Sequence, residues 1–174
     1  WVDIWEHPMP HDIKTNLDNC NIPHGTIKGV YGSSFRLGDQ LVDLRLGMDL
    51  GWDRHRDTHE ILVEYGNEHF GKSIGEPFAN VMNSMEKYWS QEVRRFHFEV
   101  PELSIEQQNT IKDSLNNAII AESRLRNAEK YVTANRLYYK GFLELAELMR
   151  VVAEMNIASD NSWKSFRSGK TEDS

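Results

Sequence analysis

Apolar residues recur at intervals of three and four through the stretch from Glu102 to Ala158, which contains no proline and one glycine. This spacing places the apolar side chains on one face of an α-helix. Ser104, followed three positions later by Gln107, forms a capping-box pattern that predicts a helix start. The first apolar row comprises Ile111, Leu115, Ala118, Ile119 and Leu125, and the second comprises Tyr138, Phe142, Leu145, Met149 and Val152.

The two apolar rows are out of phase, which indicates a break between Asn127 and Asn135. One unbroken helix of roughly 55 residues would be on the order of 80 Å long and would need a partner along its length. A turn at the break would instead give an antiparallel helical hairpin. We expect the hairpin because it explains the change of phase, although the segment contains neither glycine nor proline.

A second helix is predicted to start near Pro77, because proline is tolerated in the first helical turn. The residues behind it repeat at three and four, as in a helix that faces a core. Such a row of methionines and aromatic residues is typical of core packing. The predicted helix ends between Phe96 and Phe98, before Pro101; its row comprises Phe78, Val81, Met82, Met85, Trp89, Val93 and Phe96.

Between Gly25 and Gly75 the apolar period shortens toward two, which favours β-strands. Strands are predicted over 26–31, 42–50 and 61–65. The middle one rests on the alternation of Val42, Leu44, Leu46, Met48 and Leu50 with polar or small residues. The predicted fold class is therefore α+β, with an antiparallel sheet of about three strands within residues 25–65 packed on about three helices within residues 77–158.

The domain organisation predicted from composition is one α+β domain over residues 25–158 between two terminal segments. Residues 1–24 carry three prolines and two tryptophans, which predicts an extended arm. The apolar rings of Trp1 and Trp5 are expected to be buried, either against this domain or at an interface with a partner. Residues 159–174 are small and polar, and a frayed, flexible tail is expected there. Because the chain starts at Trp1 rather than Met, we expect a trimmed or processed fragment.

Charge and cysteine content restrict the function classes. The net charge of -7, with both signs interspersed, does not favour a nucleic-acid-binding surface. No apolar run reaches the roughly 20 residues that cross a bilayer, so no membrane span is predicted. Cys20 is the only cysteine, which favours the cytoplasm or another reducing compartment. It is interpreted as a buried apolar group rather than a nucleophile beside His24.

The densest group of metal-ligand or acid/base residue types runs from Asp53 to Glu60, with Glu68 and His69 beyond. If the segment after it is a strand, His55 and His59 stand roughly 13 Å apart, too far to share one ion. If Asp57 instead caps a helix, His59 lies in its first turn. A site could assemble from His55, Asp57, His59 and His69, with His24 or His97. The competing interpretation is a solvated turn in which two arginines pair with two aspartates.

Three function classes follow from these patterns. The favoured one is an interaction or assembly subunit, such as a structural component of a large assembly, that binds itself or a protein complex. Its helical region and aromatic arm would form the interface, with Trp1, Trp5, Tyr138 and Phe142 as candidate contacts. The alternative is a metal-dependent hydrolase or nuclease using His55, Asp57, His59 and His69. Only that alternative implies a cofactor, a divalent metal held by the histidines.

The third class is a small-molecule binding module between sheet and helices. An enzyme is less favoured than an interaction protein, because the chain contains no zinc signature, no calcium loop, no phosphate-binding glycine loop and no nucleophile elbow.

Overall fold

The fold is helical wherever the structure, a computed structural model, describes the chain, namely residues 10–19, 40–90 and 103–171. In chain order the α-helices are α1 (Pro10–Asn19), α2 (Gln40–Trp52), α3 (Thr58–Phe70), α4 (Gly75–Ser90), α5 (Ile105–Ala128) and α6 (Arg136–Thr171), with a 3-10 turn over Glu129–Tyr131. These residues contain no strand, so the predicted α+β class and its antiparallel sheet are wrong.

Residues 42–50, predicted as a strand, lie within helix α2. The error arises because a two-residue apolar period is also compatible with a helix. A row of alternate residues contains every fourth residue, so it also supplies one face of a helix. Val42, Leu46 and Leu50 form that face and are fully buried, whereas Met48, another member of the alternating row, is exposed.

The predicted strand over 61–65 lies within α3. The Asp57 side chain accepts a hydrogen bond from the Glu60 amide at 3.1 Å and caps the helix, as the helical interpretation of this segment predicts. A strand would turn Ile61 and Leu62 to opposite faces, but both are fully buried on one side of α3. The third predicted strand, over 26–31, lies outside the described residues.

Helix α4 is confirmed over Gly75–Ser90, and the first four members of its predicted row are fully buried: Phe78, Val81, Met82 and Met85. Its predicted end between Phe96 and Phe98 lies outside the described residues. The hairpin is also confirmed. Ser104 and Gln107 form a reciprocal capping box at the start of α5. The chain turns before α6 at Asn135, which has a positive φ of 47°. Asparagine tolerates that conformation, so the turn needs no glycine.

Helix α5 packs between α4 and α6, and α3 packs on α4. The C-terminal end of α3 meets the start of α6 at Phe70. Its ring lies 5.2 Å from that of Phe78 on α4 and 5.3 Å from that of Tyr139 on α6, between centroids. The Phe70 carbonyl accepts a hydrogen bond from the Thr133 amide at 2.9 Å. These contacts tie the turn after α3 to the turn before α6.

Both predicted terminal segments contain helix. Residues 10–19 of the expected extended arm form α1, which packs on α2 and buries Ile13 and Leu17. At the other end α6 continues through Thr171, so residues 159–171 are helical rather than frayed. The small polar residues there lie on the exposed part of a helix whose start is held by the core.

Helices α3 and α4 approach closely at two glycines. A Cβ added at Gly66 would lie 2.9 Å from the Gly75 Cα and 3.0 Å from the Phe78 Cβ. Both glycines are buried. A side chain at position 66 would therefore meet backbone rather than a flexible side chain. Gly47, in the middle of α2, has nothing within 4 Å of an added Cβ.

We expect Gly66→Ala to lower the free energy of unfolding by about 2 kcal/mol, because the methyl group forces α3 and α4 apart. The matched control is Gly47→Ala, which removes a glycine from a helix interior without a clash and should raise stability by roughly 0.5–1 kcal/mol. Urea unfolding followed by circular dichroism measures both. Equal effects of the two substitutions would contradict the close approach.

Candidate interaction surface

The candidate metal and acid/base residues are placed apart. Asp57 caps α3, and the His55 amide donates a hydrogen bond to Asp53 in the turn before it. His59, in the first turn of α3, lies 3.0 Å from the Glu76 carboxylate on α4, measured from Nε2. His69, ten residues later and about 15 Å further along the helix, stacks on Tyr65 with ring centroids 4.2 Å apart.

The structure thus does not bring the four predicted site residues together. Within residues 10–19, 40–90 and 103–171, no group of three or more His, Cys, Asp or Glu is arranged to hold a metal ion. His24 and His97, the other predicted contributors, lie outside these ranges.

The charged residues around this segment pair with one another. Arg56 donates to Asp49 at 2.9 Å and to Glu64 at 2.6 Å, which ties the turn to α2 and α3. Arg45 pairs with Asp49 at 2.8 Å and with Glu68 at 3.0 Å. The hydrogen bonds that Arg45 donates to Asp49 and Arg56 donates to Glu64 raise the pKa of both guanidinium groups. Arginine pairing does occur at this turn, but Arg56 reaches Asp49 and Glu64 rather than the neighbouring aspartates.

Two of the predicted interface residues serve the core instead. Phe142 is buried among the rings of Phe70, Phe78 and Tyr138. Tyr138 is half-buried, and its hydroxyl lies 2.8 Å from that of Tyr65. Trp1 and Trp5, the other two candidates, lie outside the described residues.

Helix α6 carries a second apolar row on its solvent side. At about 100° per residue, this row lies opposite the buried face formed by Ala146, Met149 and Ala153. Its exposure ranges from 40% at Val151 to 86% at Leu137. We call this row the α6 stripe; its large members are Leu137, Leu148, Val151, Met155 and Phe166.

The other positions on the α6 stripe are small or carry a single charge. Gly141, Ser159 and Ser162 are exposed on the same line, and Gly141 has open space around an added Cβ. Glu144 is the charged residue within the line, and Lys140, one turn earlier, lies at its edge; both are exposed. Leu148, Val151 and Met155 follow one another over two turns, so they form a continuous apolar surface rather than scattered side chains.

The seam between α5 and α6 fixes which face of α6 points outward. Glu122 on α5 accepts hydrogen bonds from Arg126 at 2.9 Å and from Arg150 of α6 at 2.7 Å. Arg126 also pairs with Glu147, and Arg150 with Glu154 at 2.8 Å. Hydrogen bonds from Arg150 and Arg126 lower the pKa of the Glu122 carboxyl.

A second exposed apolar site lies on α2. Trp52 at its C-terminal end is 95% exposed, and Met48, one turn earlier, is 61% exposed. These two residues span a single helical turn, whereas the α6 stripe extends over about 44 Å.

The sequence contained the signal for the α6 stripe. The predicted α6 row followed Tyr138, Phe142, Leu145, Met149 and Val152, which face the core or its edge. Leu148, Val151 and Met155 remain at helical spacing once that row is removed. A helix with two apolar rows has more apolar surface than one neighbour can cover.

Comparison with known proteins gives no further guidance, because no family model, characterised protein or solved structure matches this chain. As for membranes, none of the helices in the described part of the chain is both long enough and apolar enough to cross one.

We expect Glu122→Gln to lower the free energy of unfolding at pH 7 by about 1 kcal/mol, because the paired carboxylate bridges two helices. Since the folded-state pKa is below the usual 4.5, this contribution is present above pH 4.5 and is lost as the pH falls through the lowered value. Urea unfolding from pH 7 to pH 3 should therefore show wild type and variant converging at low pH.

Glu154→Gln is the matched control, because Glu154 is half-exposed and pairs with Arg150 on its own helix. Its effect should stay below about 0.5 kcal/mol at every pH. A constant difference between wild type and Glu122→Gln across the pH range would contradict the bridging role.

Proposed function

We propose that this protein is an interaction or assembly subunit that binds a protein partner through the α6 stripe. The observation that carries the proposal is the row of exposed large apolar side chains on α6, which is continuous from Leu148 through Val151 to Met155. Single exposed apolar residues are ordinary on protein surfaces, but a contiguous apolar row rimmed by polar residues is typical of a binding surface.

The energetics of the row support a partner. Fully burying one Leu, Val, Met or Phe side chain contributes roughly 1.5–3 kcal/mol, and part of that gain remains to be made at each of the five stripe positions. The stripe is also presented by a fixed helix, because the Glu122 bridge and the aromatic contacts of Phe142 hold α6 on its neighbours. A rigid surface loses little conformational entropy on binding.

The charged residues favour the same function. Arg45, Arg56, Arg126 and Arg150 all hold carboxylates of their own chain. Those guanidinium groups stabilise the fold and are not displayed for an anionic ligand. By contrast, the large α6 stripe side chains have apolar surface left to bury. The proposed partner therefore presents apolar side chains.

Incorporation of a photo-crosslinking amino acid at position 155 tests the proposal in cells that produce the protein. We expect ultraviolet light to give covalent adducts between α6 and a second polypeptide, because Met155 lies in the continuous part of the α6 stripe. The same probe at Asn116, which is exposed on α5 away from the stripe, is the matched control and should give none. Mass spectrometry of the adducts identifies the residues in contact.

Adducts found only within the same chain would overturn the proposal, because they would show that the protein covers the row itself. The absence of adducts at positions 148, 151 and 155 would overturn it as well.

A further inference from the structure

We propose that the partner on the α6 stripe is a second copy of this chain, bound antiparallel about a two-fold axis near Val151. This inference rests on the proposed function and names the occupant of the surface. A two-fold interface requires that when residue i faces residue j of the other copy, residue j faces residue i. The order of side chains along the α6 stripe meets that requirement.

Large, small and apolar positions occur in the same order from either end of the stripe. Reversal about the midpoint between Val151 and Val152 places Leu137 opposite Phe166, Gly141 opposite Ser162, and Leu148 opposite Met155. Large residues then meet large residues at the two ends, and the apolar centre meets itself. The small residues at 141 and 162 let the backbones approach, since nothing lies within 4 Å of a Cβ added at Gly141.

The charge on the stripe selects the antiparallel arrangement. In a parallel pair, Glu144 would face its own copy, and like charges at neighbouring positions are unfavourable. In the antiparallel pair each Glu144 faces Ser159 of the other copy, and the two carboxylates lie about 22 Å apart along the axis. The exposed Glu144 thus costs little in one orientation and opposes the other.

One flank of the stripe widens the apolar surface. Leu145 and Val152 are half-buried on that flank, and Trp163 keeps 38% of its surface exposed. In an antiparallel pair related by a two-fold axis, this flank meets the same flank of the other copy. The contact would run for about 44 Å along each helix, comparable with the width of a small domain.

Sedimentation equilibrium of the full chain tests the second copy directly. We expect a dimer at micromolar concentration. Leu148→Glu combined with Met155→Glu should weaken it by at least about a hundredfold, because four carboxylates would enter an apolar contact. Ile120→Glu is the matched control, because Ile120 is an apolar residue of α5 that is 42% exposed, and it should leave the association unchanged. Circular dichroism checks that all variants remain helical.

Cysteine cross-linking tests the orientation, in a Cys20→Ser background with a short bismaleimide. Val151→Cys should cross-link to itself, because it lies near the two-fold axis. Leu137→Cys and Phe166→Cys should each fail alone and should cross-link when the two variants are mixed. In a parallel pair, Leu137→Cys would cross-link to itself.

Self-cross-linking of Leu137→Cys, or a dimer that the double glutamate variant does not weaken, would overturn the antiparallel α6 pair. A monomer in sedimentation would overturn it as well. If the purified chain is monomeric while position 155 still gives adducts with a different protein, this inference fails and the proposed function stands.

Discussion

The contacts of Phe70 are the constraint on which the arrangement of the helices depends. Its ring packs against aromatic rings of α4 and α6, and its carbonyl receives the Thr133 amide from the turn before α6. Tyr139, beside it, donates its buried hydroxyl to the Leu125 carbonyl of α5 at 2.8 Å. Desolvation raises the pKa of that hydroxyl, so it stays a neutral donor. One aromatic cluster thereby sets the rotation of α6 about its own axis.

That rotation decides which of the two apolar rows of α6 is buried. The row with Phe142 and Met149 faces the core, so the row with Leu148 and Met155 faces solvent. The Glu122 bridge holds the same rotation further along the helix, beyond the reach of the aromatic rings. A helix fixed at two places cannot turn its outer row inward, and the apolar surface that remains can be buried only by something that binds it.

The sequence alone was sufficient to predict a helix where a single apolar row dominates the segment. The α4 row, the capping box at Ser104 and the turn before α6 follow from spacing and local hydrogen bonding, and the structure confirms them. The strand over 42–50 was wrong because an alternating row also satisfies a helical face, and only packing decides between them. Tyr138 and Phe142 were assigned to an interface because a pattern with two apolar rows does not show which row the rest of the protein covers.

In the proposed pair, Glu144 would make an otherwise apolar surface selective. A row of Leu, Val, Met and Phe alone would bind many apolar helices in either direction, because apolar contacts carry little directional information. One carboxylate within the row penalises every arrangement that opposes it with a negative charge or buries it against an apolar side chain. The proposed antiparallel pair avoids this penalty, because it places Ser159 opposite Glu144. In that pair the penalty on the other arrangements would set register and direction, as a buried polar residue sets both in coiled coils.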